Sequence, residues 1–364
     1  MNERRPLRLF TDRRYVHDDD WHVPILNLFW GHGAVPMGRA DFADRYAARG
    51  GKFFELVDLD AADLAIWPVD WKRIRTKPER IEELQRFAAD AKASGVPTVV
   101  FYVGDYDDVI PIDDAFVFRT SMIRSRRRPG EFALTGFHDD LLEYLDGDLS
   151  TRAKTAMPIV SFCGFVFYED RPRTLRGRLH RRAVAAKRSV LERLDLPADQ
   201  DVYVRARAID ALLHQRRHVR PEIVLRSQGG GGGQTDPLSV AFRSWNEVRR
   251  EYVRSIVESD YVLCTRGIGN WSYRLYETLC LGRIPVFVDT DCVLPYDFAV
   301  DWREHVVWLR RTEVDRIGEI VAEFHESLSD VEFAERQRAC RKLWEDWVSP
   351  EGFFANFHRH FSLT

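Results

Sequence analysis

Residues 259–297, SDYVLCTRGIGNWSYRLYETLCLGRIPVFVDTDCVLPYD, gather the side chains best suited to hold a phosphorylated ligand. YVLCT is an apolar run of strand length, and RGIGN is a glycine-bearing turn. WSYRLYETLCL is a helical stretch stopped by Gly282, and IPVFVD is a second strand. In such a strand–turn–helix–strand unit the helix start aims free N–H groups and a positive dipole end past the carboxyl edge of the sheet, where a diphosphate is stabilised. Arg266 in the turn and Arg274 in the first helical turns add charge at that place. Guanidinium groups meet phosphate oxygens in a planar, bidentate way. Glu277, three residues after Arg274, lies on the same helix face and one turn deeper, where a carboxylate can accept both hydroxyls of a ribose. An Arg and a Glu at this spacing otherwise make a weak exposed ion pair. The turn ahead and GRIPV behind favour the nucleotide reading.

These side chains need a sheet edge to stand on. In the first half, RLF, PILNLFW, FFELVD, DLAIWP and PTVVFYV read as strands, and ERIEELQRFAADAKASG reads as a helix ending at Gly95. The order is βαβ-like and implies a mostly parallel sheet with ligands beyond its carboxyl ends. Those ends carry Thr11 and Asp12, Pro68, and Gly104 with Asp105. A polar stretch at 148–156 marks a domain boundary, giving domains 1–150 and 151–335 and a C-terminal helical segment 336–364. The second half runs IVSFCGF, a basic helix at 176–194, EIVLR, five glycines at 229–233, a helix from Leu238 to about Ser259, and then the unit above. Two such domains imply a cleft between them. The glycine run has no phosphate-loop spacing and reads as a surface loop.

Composition narrows the function classes. The 364 residues are 45% hydrophobic and 30% charged, as in globular proteins. No apolar run approaches the roughly 18 residues of a membrane span, and the N-terminus has no apolar signal region, so a cytoplasmic protein is expected. A net charge of -3 argues against a nucleic-acid partner, although residues 171–254 hold 19 Lys/Arg against 9 Asp/Glu, a local excess that suits an anion. Five widely spaced cysteines fit reduced core thiols rather than disulfides or zinc pairs. His214 and His218 are four residues apart but lack the adjacent Glu of a zinc protease. The C-terminal stripe of Leu343, Trp344, Trp347, Phe353, Phe354 and Phe357 reads as packing, with a membrane surface or assembly partner as the lesser reading.

TRG, a spacer, S-x-R-x-x-E, two apolar positions, G-x-IPV and a later LP resemble the signature of exostosin-like glycosyltransferases, family 47. ADLAIWP, PTVVFYVGDYD, and SFCGF followed by LRGRL resemble further elements in the family's order, and Asp301-Trp302 stands where the family has a Trp after its LP. Thr265, Arg283 and Gly104 depart from the pattern, the last replacing a His before Asp105. The resemblance implies a GT-B fold, two Rossmann-like βα domains facing across a cleft, with a C-terminal helix crossing back to the first. It implies an inverting, metal-independent transfer from a nucleotide sugar, with UDP expected, to a glycan acceptor in surface polysaccharide synthesis. No cofactor is expected. Arg266, Gly267, Arg274 and Arg176 would then bind the diphosphate region, Ser272 a phosphate oxygen and Glu277 the ribose. Asp105, after a parallel strand, is the expected base. His17, the run Asp18 to Asp20, and His138 with Asp139 are its rivals.

Other readings remain at this stage. Asp289 and Asp291 in VFVDTD resemble the strand-ending D-x-D by which GT-A glycosyltransferases chelate a metal. A fucosyltransferase-like GT-B enzyme using a guanine nucleotide also places Glu on a helix before an apolar G-x-(V/I)-PV strand, although Thr278 stands where that family has Lys. A non-catalytic binder of nucleotide sugar or glycan is the third alternative.

Overall fold

The short apolar runs of both halves become fully parallel sheets in the computed structural model, which describes residues 5–31, 46, 48, 50–145, 149–167, 203–226 and 245–362. The chain forms two units. Unit 1 comprises Met1–Asp140, Val293–Val300 and Leu343–Thr364; unit 2 comprises Leu141–Cys292 and Asp301–Lys342. The division falls earlier than the polar stretch suggests, Val293–Val300 already belongs to unit 1, and the C-terminal segment joins it from Leu343 rather than from 336.

The strands of unit 1 are β1 (Leu7–Phe10), β2 (Phe54–Leu56), β3 (Leu64–Ile66), β4 (Thr98–Tyr102), β5 (Phe116–Arg119) and β6 (Glu131–Ala133), in the order β2-β1-β3-β4-β5-β6. Helix α1 (Pro78–Ala93) opens on a proline in its first turn and is ended by Gly95 at φ 70°, a left-handed position that glycine takes without strain. PILNLFW is not a strand. Pro24 starts a helical turn, Pro24–Leu26, that runs into Asn27–Trp30 and ends at Gly31 with φ 74°. A short, unbroken apolar run has no period that separates the two structures.

The C-terminal segment builds unit 1's core. Helix α7 (Pro350–Asn356) and the residues after it bury Phe353, Phe354 and Phe357 against Phe54, Phe101, Phe118 and Phe137. Each of these rings contributes about 1.5–3 kcal/mol by burial.

Unit 2 has β7 (Ile159–Gly164), β8 (Arg220–Leu225), β9 (Tyr261–Cys264), β10 (Ile284–Asp289) and β11 (Val307–Arg310), with helices α2 (Val204–His214), α3 (Trp245–Val257), α4 (Tyr273–Cys280), α5 (Ile317–Glu326) and α6 (Asp330–Leu343). Its order is β11-β10-β9-β7-β8, all parallel. Numbered within the unit this is 2-1-3-4-5, and the connections reverse direction between β7 and β9. Doubly wound sheets bind ligands at that point, beyond the carboxyl ends of the two strands. The basic helix at 176–194 and the five glycines lie outside the described residues, as does Arg176.

Candidate active site

The β9–α4 connection forms where the sequence pattern puts it. YVLC is wholly buried between β7 and β10, so it must leave the sheet at Cys264. The turn is closed by the Gly267 N–H donating to the Trp271 carbonyl at 3.0 Å. Ser272 is extended at the N-cap, but its hydroxyl does not cap α4. The helix start is thereby left to an external acceptor. At the other end Gly282, at φ 57°, donates to the Leu279 carbonyl, and Arg283 N–H to that of Thr278, which stops α4 and turns the chain into β10.

Three arginines converge on the β7/β9 edge. Arg274 Nη2 donates to the Cys163 carbonyl at 2.7 Å, and its guanidinium lies 4.2 Å from the centre of the buried Phe162 ring. Its Nε is buried without a hydrogen-bond partner among the described residues. Arg205, from the first turn of α2, approaches the same ring at 5.6 Å. Its Nε donates to Thr265 Oγ1 at 3.1 Å, Nη1 to the Phe165 carbonyl at 3.0 Å, and Nη2 to the carbonyls of Thr265 at 3.2 Å and Arg266 at 2.8 Å. Among the described residues no carboxylate pairs with Arg205 or Arg274. Burial, together with the charge of Arg274, pushes Arg205 down to about 9. Arg266 curls back, donating to the Ile268 carbonyl at 2.8 Å. Gly267 meets no steric demand for glycine, since an added Cβ would stand 3.7 Å from Arg205.

Glu277 is buried beneath this edge. Its Oε1 accepts from Arg249 Nη2 at 2.9 Å and its Oε2 from the Tyr252 hydroxyl at 2.5 Å, both from α3. The carboxylate is therefore a held group rather than a surface ion-pair partner. Burial, reinforced by the negative charge of Glu277, raises Tyr252 well above the usual phenol value.

At the end of β10, Asp289 Oδ1 accepts from the backbone N–H of Asp291, which stands at φ 61°. Asn270 ties the two loops together, donating to the Asp291 carbonyl at 3.1 Å and accepting from the Thr290 hydroxyl at 2.7 Å. The D-x-D thus shapes a turn. His214 goes to its own helix through the Asp210 carbonyl, and His218 accepts from Arg217.

In unit 1, Asp105 is exposed on the loop after β4. That strand is not at the unit's own point of reversal, which lies between β1 and β3. Asp70, unremarked in the sequence, follows β3. It is partly buried and accepts from the N–H groups of Lys72 at 2.8 Å and Val103 at 2.9 Å. Burial nevertheless outweighs those bonds and pushes its carboxyl up to about 7. Among the rivals, Asp20 is locked to Arg80 at 2.7 Å, and His17 also contacts Arg80. Buried His138 engages the Asp139 carbonyl and the Trp344 indole N–H.

Residues 207–324 match the model of the exostosin GT47 domain, the stretch that holds Arg249, Tyr252, Arg266, Arg274 and Glu277. The chain is 35% identical over 71 residues to a probable glucuronosyltransferase of Oryza sativa subsp. japonica, covering 20% of this chain and 17% of that protein. It is 33% identical over 70 residues to the probable beta-1,4-xylosyltransferase IRX10 of Arabidopsis thaliana, covering 19% and 17%. The match therefore spans about a sixth of the length of these relatives. Among solved structures, WaaG, a glycosyltransferase involved in lipopolysaccharide biosynthesis, is similar with a TM-score of 0.37 and 12% identity over 96% of this chain and 99% of that one. That likeness is too loose to add to the two sheets already described.

Proposed function

From an exostosin GT47 domain over residues 207–324, we propose that the chain is an inverting glycosyltransferase that moves a sugar from a nucleotide sugar to a glycan hydroxyl. The observation that carries the reading is Arg274, a guanidinium with no carboxylate partner among the described residues, set at an uncapped helix start on the point of strand reversal. In the transfer the acceptor oxygen bonds to the anomeric carbon as the bond to the diphosphate breaks. The departing negative charge falls to Arg274, Ser272 and the α4 dipole, and the acceptor proton goes to a base. Glu277, held by Arg249 and Tyr252 one turn into α4, is the carboxylate proposed to accept the ribose hydroxyls. For the base, Asp105 remains a candidate and Asp70 joins it, since it follows β3 beside unit 1's own point of strand reversal and burial pushes its carboxyl up to about 7. Diphosphate neutralisation by arginine and helix dipole makes a metal unnecessary in this scheme. The GT-B arrangement and a cytoplasmic location belong to the same proposal, and five buried cysteines, none of them in a disulfide, support a reducing compartment.

Calorimetric titration with UDP, GDP and CMP, with and without EDTA, tests the donor site. UDP binding that survives EDTA is the expected result, followed by sugar release from a UDP-sugar in the presence of glycan acceptors. The relatives' names put glucuronosyl and xylosyl donors first in that screen. Preference for GDP would transfer the reading to the fucosyltransferase-like alternative. UDP binding without transfer to any glycan would leave a non-catalytic binder.

A further inference from the structure

We infer that Arg205 is a positioning residue for the donor diphosphate: it draws the carbonyls of Phe165, Thr265 and Arg266 inward, so that the β9–α4 turn keeps them off an anion at the β7/β9 edge and leaves the Arg274 guanidinium to meet it. The inference rests on the nucleotide-sugar reading above for the source of that diphosphate.

Four hydrogen bonds from one side chain join three chain segments: the start of α2, the exit of β7 and the exit of β9. Carbonyl oxygens facing the edge would repel a phosphate. Pulling them onto Arg205 reverses the local field, because in a trans peptide the N–H of the next residue points opposite to the carbonyl. The Thr265 carbonyl goes to Arg205, so the Arg266 N–H faces the other way. The planar fork of arginine is what reaches several acceptors in fixed directions, and an ammonium has no such geometry.

The charge is as informative as the bonds. A partly buried arginine ordinarily finds a carboxylate, as Arg249 finds Glu277 in the same unit. Arg205 and Arg274 find only carbonyls, a hydroxyl and the ring of Phe162 between them. Two cations share one ring with no anion from the described residues. Burial, and with it the repulsion from Arg274, disfavours the charge on Arg205, and a dianion at the edge offsets both, so the site is preorganised for a pyrophosphate rather than for a neutral sugar.

The test titrates the full chain and the variants Arg205→Met and Arg205→Lys with inorganic pyrophosphate and UDP by calorimetry, and with uridine by saturation-transfer NMR. Arg205→Met is expected to weaken pyrophosphate and UDP by about 30-fold or more while uridine changes by less than about threefold. Arg205→Lys is expected to recover little of this, since the charge returns without the fork. Equal weakening of UDP and uridine would reduce Arg205 to a structural staple, and full recovery by Lys would show that charge alone suffices. Either result overturns the inference. Should Arg205→Met not fold, Arg205→Lys carries the test. A wild-type chain that binds pyrophosphate but no nucleotide overturns the nucleotide-sugar reading and leaves the Arg205 comparison intact; one that binds neither overturns both.

Discussion

The Arg274 guanidinium passes directly over Gly164, so that a Cβ added there would stand 2.6 Å from Arg274 Nη2. The obstructed atom is the far end of a flexible side chain, which can swing away at little cost to the fold. Swinging away removes the cation from the helix start, however. Gly164→Ala is therefore expected to weaken UDP by about tenfold, the loss of one charge-assisted hydrogen bond, and to lower stability by about 1–3 kcal/mol because Gly164 stands at φ 156°, which a side chain strains. Paired titration and urea unfolding would check it. Loss of stability with affinity intact would place Arg274 outside the donor site.

Glu277 and Arg249 are both buried, so removing either strands a charge. Glu277→Gln is expected to cost about 3 kcal/mol or more by leaving Arg249 uncompensated. Adding Arg249→Met should return most of that stability, because glutamine still accepts from Tyr252 and methionine fills the space of the arginine stem. UDP binding should not return with it, since the amide cannot accept both ribose hydroxyls. Denaturant unfolding of the two singles and the double, with UDP titration of the double, separates stability from recognition. A double variant that regains UDP binding would remove Glu277 from the ribose.

The proposed donor half of the site was legible because it is local. The β9–turn–α4–β10 unit announces itself by apolar runs, a glycine turn and Gly282 within one stretch of sequence. Arg205 and Arg249 were not legible, because what they hold lies far along the chain: the Thr265 side chain for one, Glu277 for the other. Both sit on helices whose patterns look ordinary. Their role exists only once strand order puts β7 beside β9. Strand order also puts β4, and with it Asp105, away from the unit's reversal point, which no local sequence pattern shows. Asp70 had a local signal, an acid just before a helical turn, but capping residues are common and only its burial sets it apart.

Asp289 and Asp291 provide a direct test of metal dependence. Asp289 Oδ1 accepts from the Asp291 N–H, and asparagine can accept the same bond. Asp289→Asn is thus expected to leave both stability and EDTA-resistant UDP binding within about twofold of wild type, since hydrogen bonding is conserved and only charge is lost. A chelated cation would instead lose a carboxylate ligand. UDP binding that requires Mn²⁺ and disappears in Asp289→Asn would restore the metal site.

His360 sets an acid limit on unit 1. It is buried among Phe118, Phe132, Tyr296 and Phe357, donating through Nδ1 to the Phe357 carbonyl, and burial pushes it down to about 3. The unfolded chain takes up this proton near pH 6.5 while the folded chain resists it, so the stabilisation is whole above that pH. It drains away as pH falls from about 6.5 toward 3, at about 1.4 kcal/mol per pH unit within that window. His360→Phe has no proton to gain. Urea midpoints measured at pH 7.5, 5.5 and 4.5 should fall less steeply in the variant than in the wild type, even though the variant begins lower by about 1 kcal/mol for the lost hydrogen bond. Parallel slopes in the two proteins would show that folding leaves the proton affinity of His360 unchanged.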